Sequence, residues 1–146
     1  MKLYDEPNYK LHSLTYMLDA IAEKIVQQLA GISFAQYLVL VAVGEVHIVT
    51  VTGIARWLNV QPPTSSHLCR KLESTGHLVI KVSDESLREK RITITQKGEE
   101  VLSLVNPKLE AMFASKFEKI PLAEREQFMK TLDTLLAELK KENETC

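Results

Sequence analysis

Apolar residues recur along the chain at spacings that predict a mainly helical protein. Near the N-terminus, leucines and isoleucines at positions 11, 14, 18, 21 and 25 lie alternately three and four residues apart. This spacing puts them on one side of a helix that packs against another helix. Gly31 is suited to end that helix and Ser33 to cap the next one. The second helix, from residue 34 to about 46, is apolar on nearly all sides, as is typical of a helix at the centre of a small core.

The next segment predicts two short helices joined by a tight turn. Residues 48–51 have strand propensity, and Thr52 is predicted to cap a brief helix that ends at Leu58. Asn59 can adopt the left-handed conformation that stops this helix. A second helix over residues 63–75 begins with proline, which suits the first helical position. The pattern is that of a helix-turn-helix, although an ordinary helical hairpin fits the same signals.

A β-hairpin is predicted directly after this pair of helices. Residues 78–82 and 91–95 are rich in β-branched side chains, and the second of these segments alternates apolar and polar positions. Residues 83–90 between them are polar and charged, which predicts a hairpin tip or, alternatively, a solvated loop. A helix-turn-helix followed by such a hairpin is a winged helix.

Two long helices complete the predicted order. The first follows residue 95 and contains Pro107, which predicts a kink at that point. The last begins near Pro121 and leads to a charged tail. The first helix and the last two carry more apolar surface than one winged-helix core covers, so a second copy of the chain is the expected partner.

Composition excludes several classes of protein. The 146 residues are 45% hydrophobic and 25% charged, as in one globular domain. No apolar run approaches the roughly 20 residues of a membrane-spanning helix, and the N-terminus lacks the features of a signal peptide, so we expect a cytoplasmic protein without a membrane partner. Two cysteines cannot form a disulfide framework. No glycine-rich loop, metal-ligand spacing or nucleophile–base motif occurs, so the sequence predicts no catalytic residue, no metal site and no cofactor.

The charge is unevenly distributed although the net value is only −1. Between Arg56 and Lys97 lie eight basic and four acidic residues, a net of +4, and the rest of the chain carries −5. A basic middle between acidic ends is typical of a protein that binds nucleic acid through one lobe. Ordinary fluctuation of surface charge is the alternative explanation.

The chain resembles the MarR family of transcription regulators (the multiple-antibiotic-resistance regulator type). The resemblance is carried by residues 51–60, 63–79 and 88–98 together with Asp84, and it is strong over residues 34 to 117. It implies a mainly α (α+β) fold and a single MarR-like domain over residues 1–146. Within it, residues 34–98 would form the winged helix-turn-helix DNA-binding lobe, and residues 8–31 and 99–146 the dimerisation helices. It also implies a homodimeric, sequence-specific DNA-binding regulator, a repressor released by a small molecule or another signal.

The resemblance also points to a DNA-binding surface. The helix predicted over residues 63–75 would be the recognition helix, and within it Ser65, Leu68, Cys69 and Leu72 face inward on helical spacing. The predicted DNA contacts are outward-facing polar residues of that helix and basic residues of the hairpin, which would be the wing. They are Thr64, Ser66, His67, Arg70, Lys71, Arg88, Lys90 and Arg91. We expect Arg70 to bind guanine, Lys71 to bind phosphate, and Arg88 and Arg91 to reach the minor groove or its phosphates. A dimer would place two such units roughly 34 Å apart on a pseudo-palindromic operator.

One element departs from the family. MarR wings usually carry Asp-x-Arg or Asp-Arg-Arg, whereas residues 84–88 here read Asp-Glu-Ser-Leu-Arg. Arg88 corresponds to the minor-groove arginine, and Asp84 is the nearest substitute for the carboxylate that orients it.

Three further interpretations concern regulation. If an effector binds, we expect its pocket between the DNA-binding lobe and the dimer helices, with Tyr16, Tyr37 and Phe113 among its lining residues. A winged helix that serves only as a protein–protein interaction module is an alternative. A regulator that senses oxidants through Cys69 is another, although a small buried side chain is the ordinary role of such a cysteine.

Overall fold

The computed structural model describes residues 2–82 and 90–145 of the chain. After a short 3₁₀ helix at Leu3–Asp5, the elements follow in the order α1 (Pro7–Ala30), α2 (Phe34–Gly44), α3 (Val51–Leu58), α4 (Pro62–Ser74), β1 (Leu78–Val82), β2 (Lys90–Ile94), α5 (Gln96–Phe117) and α6 (Leu122–Thr145). This mainly helical fold with one two-stranded antiparallel sheet confirms the predicted fold class.

The chain divides into two compact units, Met1–Leu109 and Glu110–Cys146. The first contains α1 to α4, the hairpin and most of α5. The second contains the end of α5 and all of α6, where the rings of Phe117 and Phe128 lie 6.5 Å apart. The division falls two residues after Pro107, the proline inside α5.

The core of the first unit is built around α2. Val39, Leu40 and Ala42 are fully buried, and α2 packs against α1, α3, α4 and β2. Most of its side chains are aliphatic because each side of this helix faces another element of the unit. The predicted central helix is confirmed.

α1 contributes a narrower face to that core. Its buried residues are Ala22 and Val26, one helical turn apart. Leu14 and Ile21, from the leucine–isoleucine row seen in the sequence, remain 44% and 39% exposed. The other three residues of the row are half-buried, so none of the five is fully buried within one chain.

Three predicted helix ends are confirmed. Gly31 adopts the left-handed conformation, with φ of 67°, at the end of α1. Ser33 caps α2 in a reciprocal arrangement with Gln36: its side chain accepts from the Gln36 amide, and the Gln36 side chain accepts from the Ser33 amide. Asn59 ends α3 with φ of 55°.

Two local predictions before α3 are wrong. The cap is Thr50 rather than Thr52, because Thr50 Oγ1 accepts the Gly53 amide at 3.1 Å and the helix already begins at Val51. Residues 48–51 form no strand of their own. Among the described residues, one hydrogen bond joins this segment to the hairpin, from the Ile92 amide to the Val49 carbonyl at 2.8 Å, which is too little to extend the ladder.

The two predicted strands form an antiparallel hairpin, in which β1 has the predicted bounds and β2 begins and ends one residue earlier than predicted. Leu78 pairs with Ile94, Ile80 with Ile92 and Val82 with Lys90. Leu78 and Ile92 are buried against the core, whereas Val82, Lys90 and Arg91 are exposed. The hairpin thus contributes its inner end to the core and its outer end to the surface.

Candidate nucleic-acid interface

α4 is held against α3 by a buried hydroxyl and two buried apolar side chains. Ser65 is fully buried, and its Oγ donates to the Val51 carbonyl at 2.9 Å, at the first residue of α3. Cys69 and Leu72, one and two turns further on, are also fully buried. Because these three residues define the inner face, the rotation of α4 about its axis is set.

This rotation exposes the predicted contact residues of α4. Thr64, His67, Arg70 and Lys71 are exposed, and Ser66 is half-buried. Arg70 lies back along its own helix, with Nε donating to the Ser66 carbonyl at 3.4 Å. Its terminal nitrogens make no hydrogen bond to any other part of the chain that the structure describes. The face carries hydroxyl, imidazole, guanidinium and ammonium donors, a set that suits the acceptors of the major groove.

The hairpin adds two exposed cations at the start of β2. Lys90 and Arg91, the first residues of β2, are both exposed. Arg88 and Asp84, the predicted minor-groove pair, lie outside the described residues, and their assignment stays a prediction.

A cleft of about 370 Å³ lies between α4 and the hairpin. Two cations, Arg70 and Lys90, line it together with the carboxylate of Glu73. The cleft is completed by Val51, Ser66, Ile80 and Val82. It is open to solvent, and its charge and its position beside the recognition helix suit a nucleic-acid backbone.

The junction from α4 to the hairpin and α5 is tightly hydrogen-bonded. Thr95 makes two bonds across it, from its amide to the His77 carbonyl at 3.1 Å and from its hydroxyl to the Gly76 carbonyl at 2.6 Å. Lys97 Nζ donates to the Thr75 carbonyl at 2.7 Å. The end of the recognition helix is therefore connected to the end of β2 and the start of α5.

His77 is the buried titratable group of this junction. It is 4% exposed, and its Nδ1 lies 2.7 Å from Thr75 Oγ1. Burial lowers the pKa of His77 below its usual 6.5, and the positive charge of Lys97 lowers that pKa further. A neutral imidazole is the form that fits this site.

Cys69 is fully buried on the inner face of α4. Burial raises the pKa of its thiol, and a hydrogen bond with Ser65 offsets part of that rise. Since the thiolate is the reactive form, this environment disfavours oxidation at Cys69.

The three predicted effector-binding residues have different surroundings. Tyr37 is buried, and its hydroxyl donates to Asn106 Oδ1 at 2.6 Å. Asn106 in turn donates through Nδ2 to Glu45. Tyr16 is 73% exposed on α1, and Phe113 belongs to the second compact unit, where it is half-buried. Their role in ligand binding stays a prediction.

Sequence reasoning missed Glu73, which it treated only as one acid in a basic region. Glu73 Oε2 accepts the Ile80 amide at 2.9 Å and so joins α4 to β1. The available signal was an acid three residues after Arg70 on an otherwise basic face. Spacing shows that Arg70 and Glu73 are neighbours on the helix surface, but it does not reveal which backbone amide donates to the Glu73 carboxylate.

Comparison by sequence gives one family match. The model of the MDM10-complementing protein 1 transmembrane domain matches residues 3–106. No curated protein sequence matches the chain.

The family's name describes a membrane-spanning domain. In residues 2–82 and 90–145, no single helix is long and apolar enough to cross a membrane. Among these residues only α1 and α2, taken together as one segment, have the length and apolar composition of a membrane span, and the two helices are bent by 78° relative to each other. α2 is highly hydrophobic because it is buried in the core of the first unit. Its apolar surface is therefore already covered by protein.

Comparison by structure gives many similar solved structures, among them several MarR-family transcriptional regulators. A MarR/EmrR family transcriptional regulator from Acinetobacter sp. ADP1 superposes with a TM-score of 0.85 at 17% identity, covering 97% of this chain and 99% of that one. The MepR–DNA complex of S. aureus gives 0.80 at 21% identity, covering 94% and 99%. CouR from Rhodococcus jostii RHA1, bound to p-coumaroyl-CoA, gives 0.79 at 24% identity, covering 92% and 94%.

The structural likeness extends over nearly the whole chain, whereas the sequence match ends at residue 106. Identities of 17–24% establish a shared fold. The chain therefore belongs by sequence match to the family of the MDM10-complementing protein 1 transmembrane domain, and it folds as the winged helix of MarR-type transcriptional regulators.

Proposed function

We propose that this protein is a homodimeric, sequence-specific DNA-binding transcription regulator. The observation that carries the proposal is the group of four exposed cations on α4 and β2: Arg70, Lys71, Lys90 and Arg91. Within residues 2–82 and 90–145 none of the four forms a salt bridge. Cations without carboxylate partners on the helix-turn-helix and its hairpin are available to neutralise phosphates.

The four cations divide into two roles. Arg70 is exposed on the outward face of α4, where its terminal guanidinium nitrogens would bind guanine O6 and N7 in the major groove. Lys71, Lys90 and Arg91 would bind phosphates on either side of that groove. Thr64, Ser66 and His67 add hydrogen-bonding groups to the same helix face. MepR, which shares this fold, has been crystallised with DNA.

Dimerisation is the second part of the proposal. α1 leaves Leu14, Tyr16 and Met17 exposed, and α6 leaves Leu135, Leu136 and Leu139 exposed. Apolar side chains in such rows are typical of surfaces that a partner covers. A second copy of the chain would present a second α4, and the operator would then be a pseudo-palindrome with half-sites about one helical turn apart.

Release by a ligand is the third part. CouR has the same fold and was crystallised with p-coumaroyl-CoA. We propose that this chain acts as a repressor that an effector releases, with Tyr16, Tyr37 and Phe113 contributing to the effector site.

The test is fluorescence anisotropy with labelled duplexes from the upstream region of the protein's own gene, over a series of salt concentrations. We expect tight binding to one duplex and weak binding to a scrambled one, with an affinity that falls as salt rises. Lys71→Ala should reduce the salt slope by about 0.9 per lost phosphate contact, hence by nearly two per dimer. Lys108→Ala, which removes an exposed lysine from α5, is the control and should leave the slope unchanged.

Absence of salt-dependent binding to any of these duplexes would refute the proposed function. It would favour a winged helix that binds protein instead. Redox sensing through Cys69 predicts that peroxide weakens DNA binding and that Cys69→Ser abolishes this effect. The buried thiol leads us to expect no response to peroxide.

A further inference from the structure

The hairpin is attached to the helix-turn-helix along both of its edges at one register position. Ile80 of β1 pairs with Ile92 of β2. The Ile92 amide donates outward to the Val49 carbonyl at 2.8 Å, and the Ile80 amide donates outward to Glu73 Oε2 at 2.9 Å. Since both amides point away from the partner strand, Ile80 and Ile92 form a non-hydrogen-bonded pair of the ladder.

The two attachments differ in kind. The bond at Val49 is between backbone groups and forms whatever side chain is present. The bond at Glu73 depends on one side chain of the recognition helix. A hydrogen bond from a backbone amide to a carboxylate is stronger than one between neutral groups. It also gives the edge-strand amide a partner in the protein, where it would otherwise bond to water.

The carboxylate of Glu73 has an alternative partner close by. Arg70 precedes it by three residues on α4, and both line the cleft between α4 and the hairpin. An acid and an arginine at this spacing commonly pair. In the part of the chain that the structure describes, however, Glu73 forms no salt bridge, and its contact is the Ile80 amide.

We propose that Glu73 is a positioning residue for nucleic-acid binding, an inference that rests on the proposed function. Its bond to Ile80 fixes the distance between α4 and the hairpin, and therefore the distance from Arg70 to Lys90 across the cleft. The same bond keeps the carboxylate away from Arg70, whose guanidinium remains available to DNA. Glu73 thus acts through the hairpin and through Arg70 without contacting the DNA itself.

Two substitutions separate this role from a simple effect of charge. Glu73→Gln keeps an oxygen that can accept the Ile80 amide but removes the negative charge. Glu73→Ala removes both. We expect Glu73→Gln to bind the operator within about twofold of the unchanged protein, and Glu73→Ala to bind it about fivefold to tenfold more weakly, as for loss of one ordinary hydrogen bond. Glu99→Ala removes another exposed acid, from the first turn of α5, and should bind like the unchanged protein.

Amide hydrogen exchange measured by NMR without DNA tests the bond directly. The Ile80 amide should exchange several-fold faster in Glu73→Ala than in the unchanged protein, and Glu73→Gln should keep its protection. The Lys81 amide is the internal control, because its pairing with Arg91 lies in the ladder and should not depend on Glu73.

Each contrary result has a distinct meaning. Tighter DNA binding by both variants would show that Glu73 only repels phosphate, and equal losses in both would show that charge matters and the acceptor does not. Unchanged exchange at Ile80 in Glu73→Ala would show that the bond does not hold β1. Any of these results overturns the proposal. If the unchanged protein binds no duplex, the proposed function fails and this role with it, while the exchange at Ile80 still reports whether the bond exists.

Discussion

Gly98 lies directly against the backbone of His77. A Cβ atom on Gly98 would come within 2.5 Å of the His77 carbonyl oxygen and 2.6 Å of Ile94 Cγ1. The first turn of α5 can therefore pack on the junction between α4 and β1 only because residue 98 has no side chain. This contact brings the start of α5 to the end of the recognition helix.

Gly98→Ala is expected to destabilise the protein. The new methyl group would push against a backbone oxygen, and overpacking of this kind costs about 1–3 kcal/mol, more than the gain in helix propensity from alanine. The midpoint of urea unfolding, followed by the fluorescence of the single tryptophan, Trp57, measures the change. Ser103→Ala, at an exposed position on the same helix, should change the free energy of unfolding by no more than about 0.5 kcal/mol. Equal effects of the two substitutions would contradict the contact.

Stability is expected to fall as the pH decreases below about 6.5. Because the fold lowers the pKa of His77, the unfolded chain takes up this proton more readily than the folded protein does. The contribution of His77 is therefore fully present above the unfolded pKa, declines below it, and levels off once the pH passes the folded pKa, with a slope of at most about 1.4 kcal/mol per pH unit.

His77→Leu isolates that dependence. Urea unfolding at several pH values between about 5 and 8 should show a smaller decline for His77→Leu than for the unchanged protein. His67→Gln, which alters an exposed histidine of α4, is the control. If His67→Gln alone removed the decline, burial of His77 would not be its cause.

Arg70 and Lys71 are expected to contribute to DNA binding in different ways. Arg70→Ala should cost about 1–3 kcal/mol on the operator and relax base preference at one position in each half-site. Lys71→Ala should weaken binding to operator and scrambled duplexes alike. Anisotropy titrations with operators substituted at single base pairs measure both effects. Equal losses for Arg70→Ala on operator and scrambled DNA would show that Arg70 only binds phosphate.

The apolar row on α6 is expected to support the dimer. Leu136 and Leu139 are 53% and 57% exposed in the single chain, so Leu136→Glu with Leu139→Glu should leave each compact unit folded while it disfavours association. Light scattering at micromolar concentration should report a dimer for the unchanged protein and a smaller species for the double variant. Lys140→Glu is the control: it changes the exposed polar residue that follows Leu139, and this variant should remain dimeric. A stable monomer of the unchanged protein would refute the proposed dimer.

The sequence determined those parts of the fold that depend on neighbours within one or two helical turns. Ser33, Asn59 and Gly31 act on amides or carbonyls within a few residues of themselves, so their roles as helix ends can be predicted from local chemistry. Periodicity likewise predicted most of the inward face of α4, since Ser65, Cys69 and Leu72 are buried where helical spacing puts them, while Leu68, also predicted to face inward, is half-buried.

Tertiary structure decided the features that depend on partners distant in sequence. Both Thr50 and Thr52 are chemically suited to cap α3, and the structure uses Thr50. The residues on either side of Thr50 are held by distant partners, since the Val49 carbonyl accepts from the Ile92 amide and the Val51 carbonyl accepts from the Ser65 hydroxyl. Nothing near Glu73 in sequence reveals that its carboxylate accepts from a strand amide, nor does anything near His77 reveal its burial beneath α5. A hydrogen bond or a close contact needs its two atoms placed within a fraction of an ångström, and only the packing of whole elements supplies that precision.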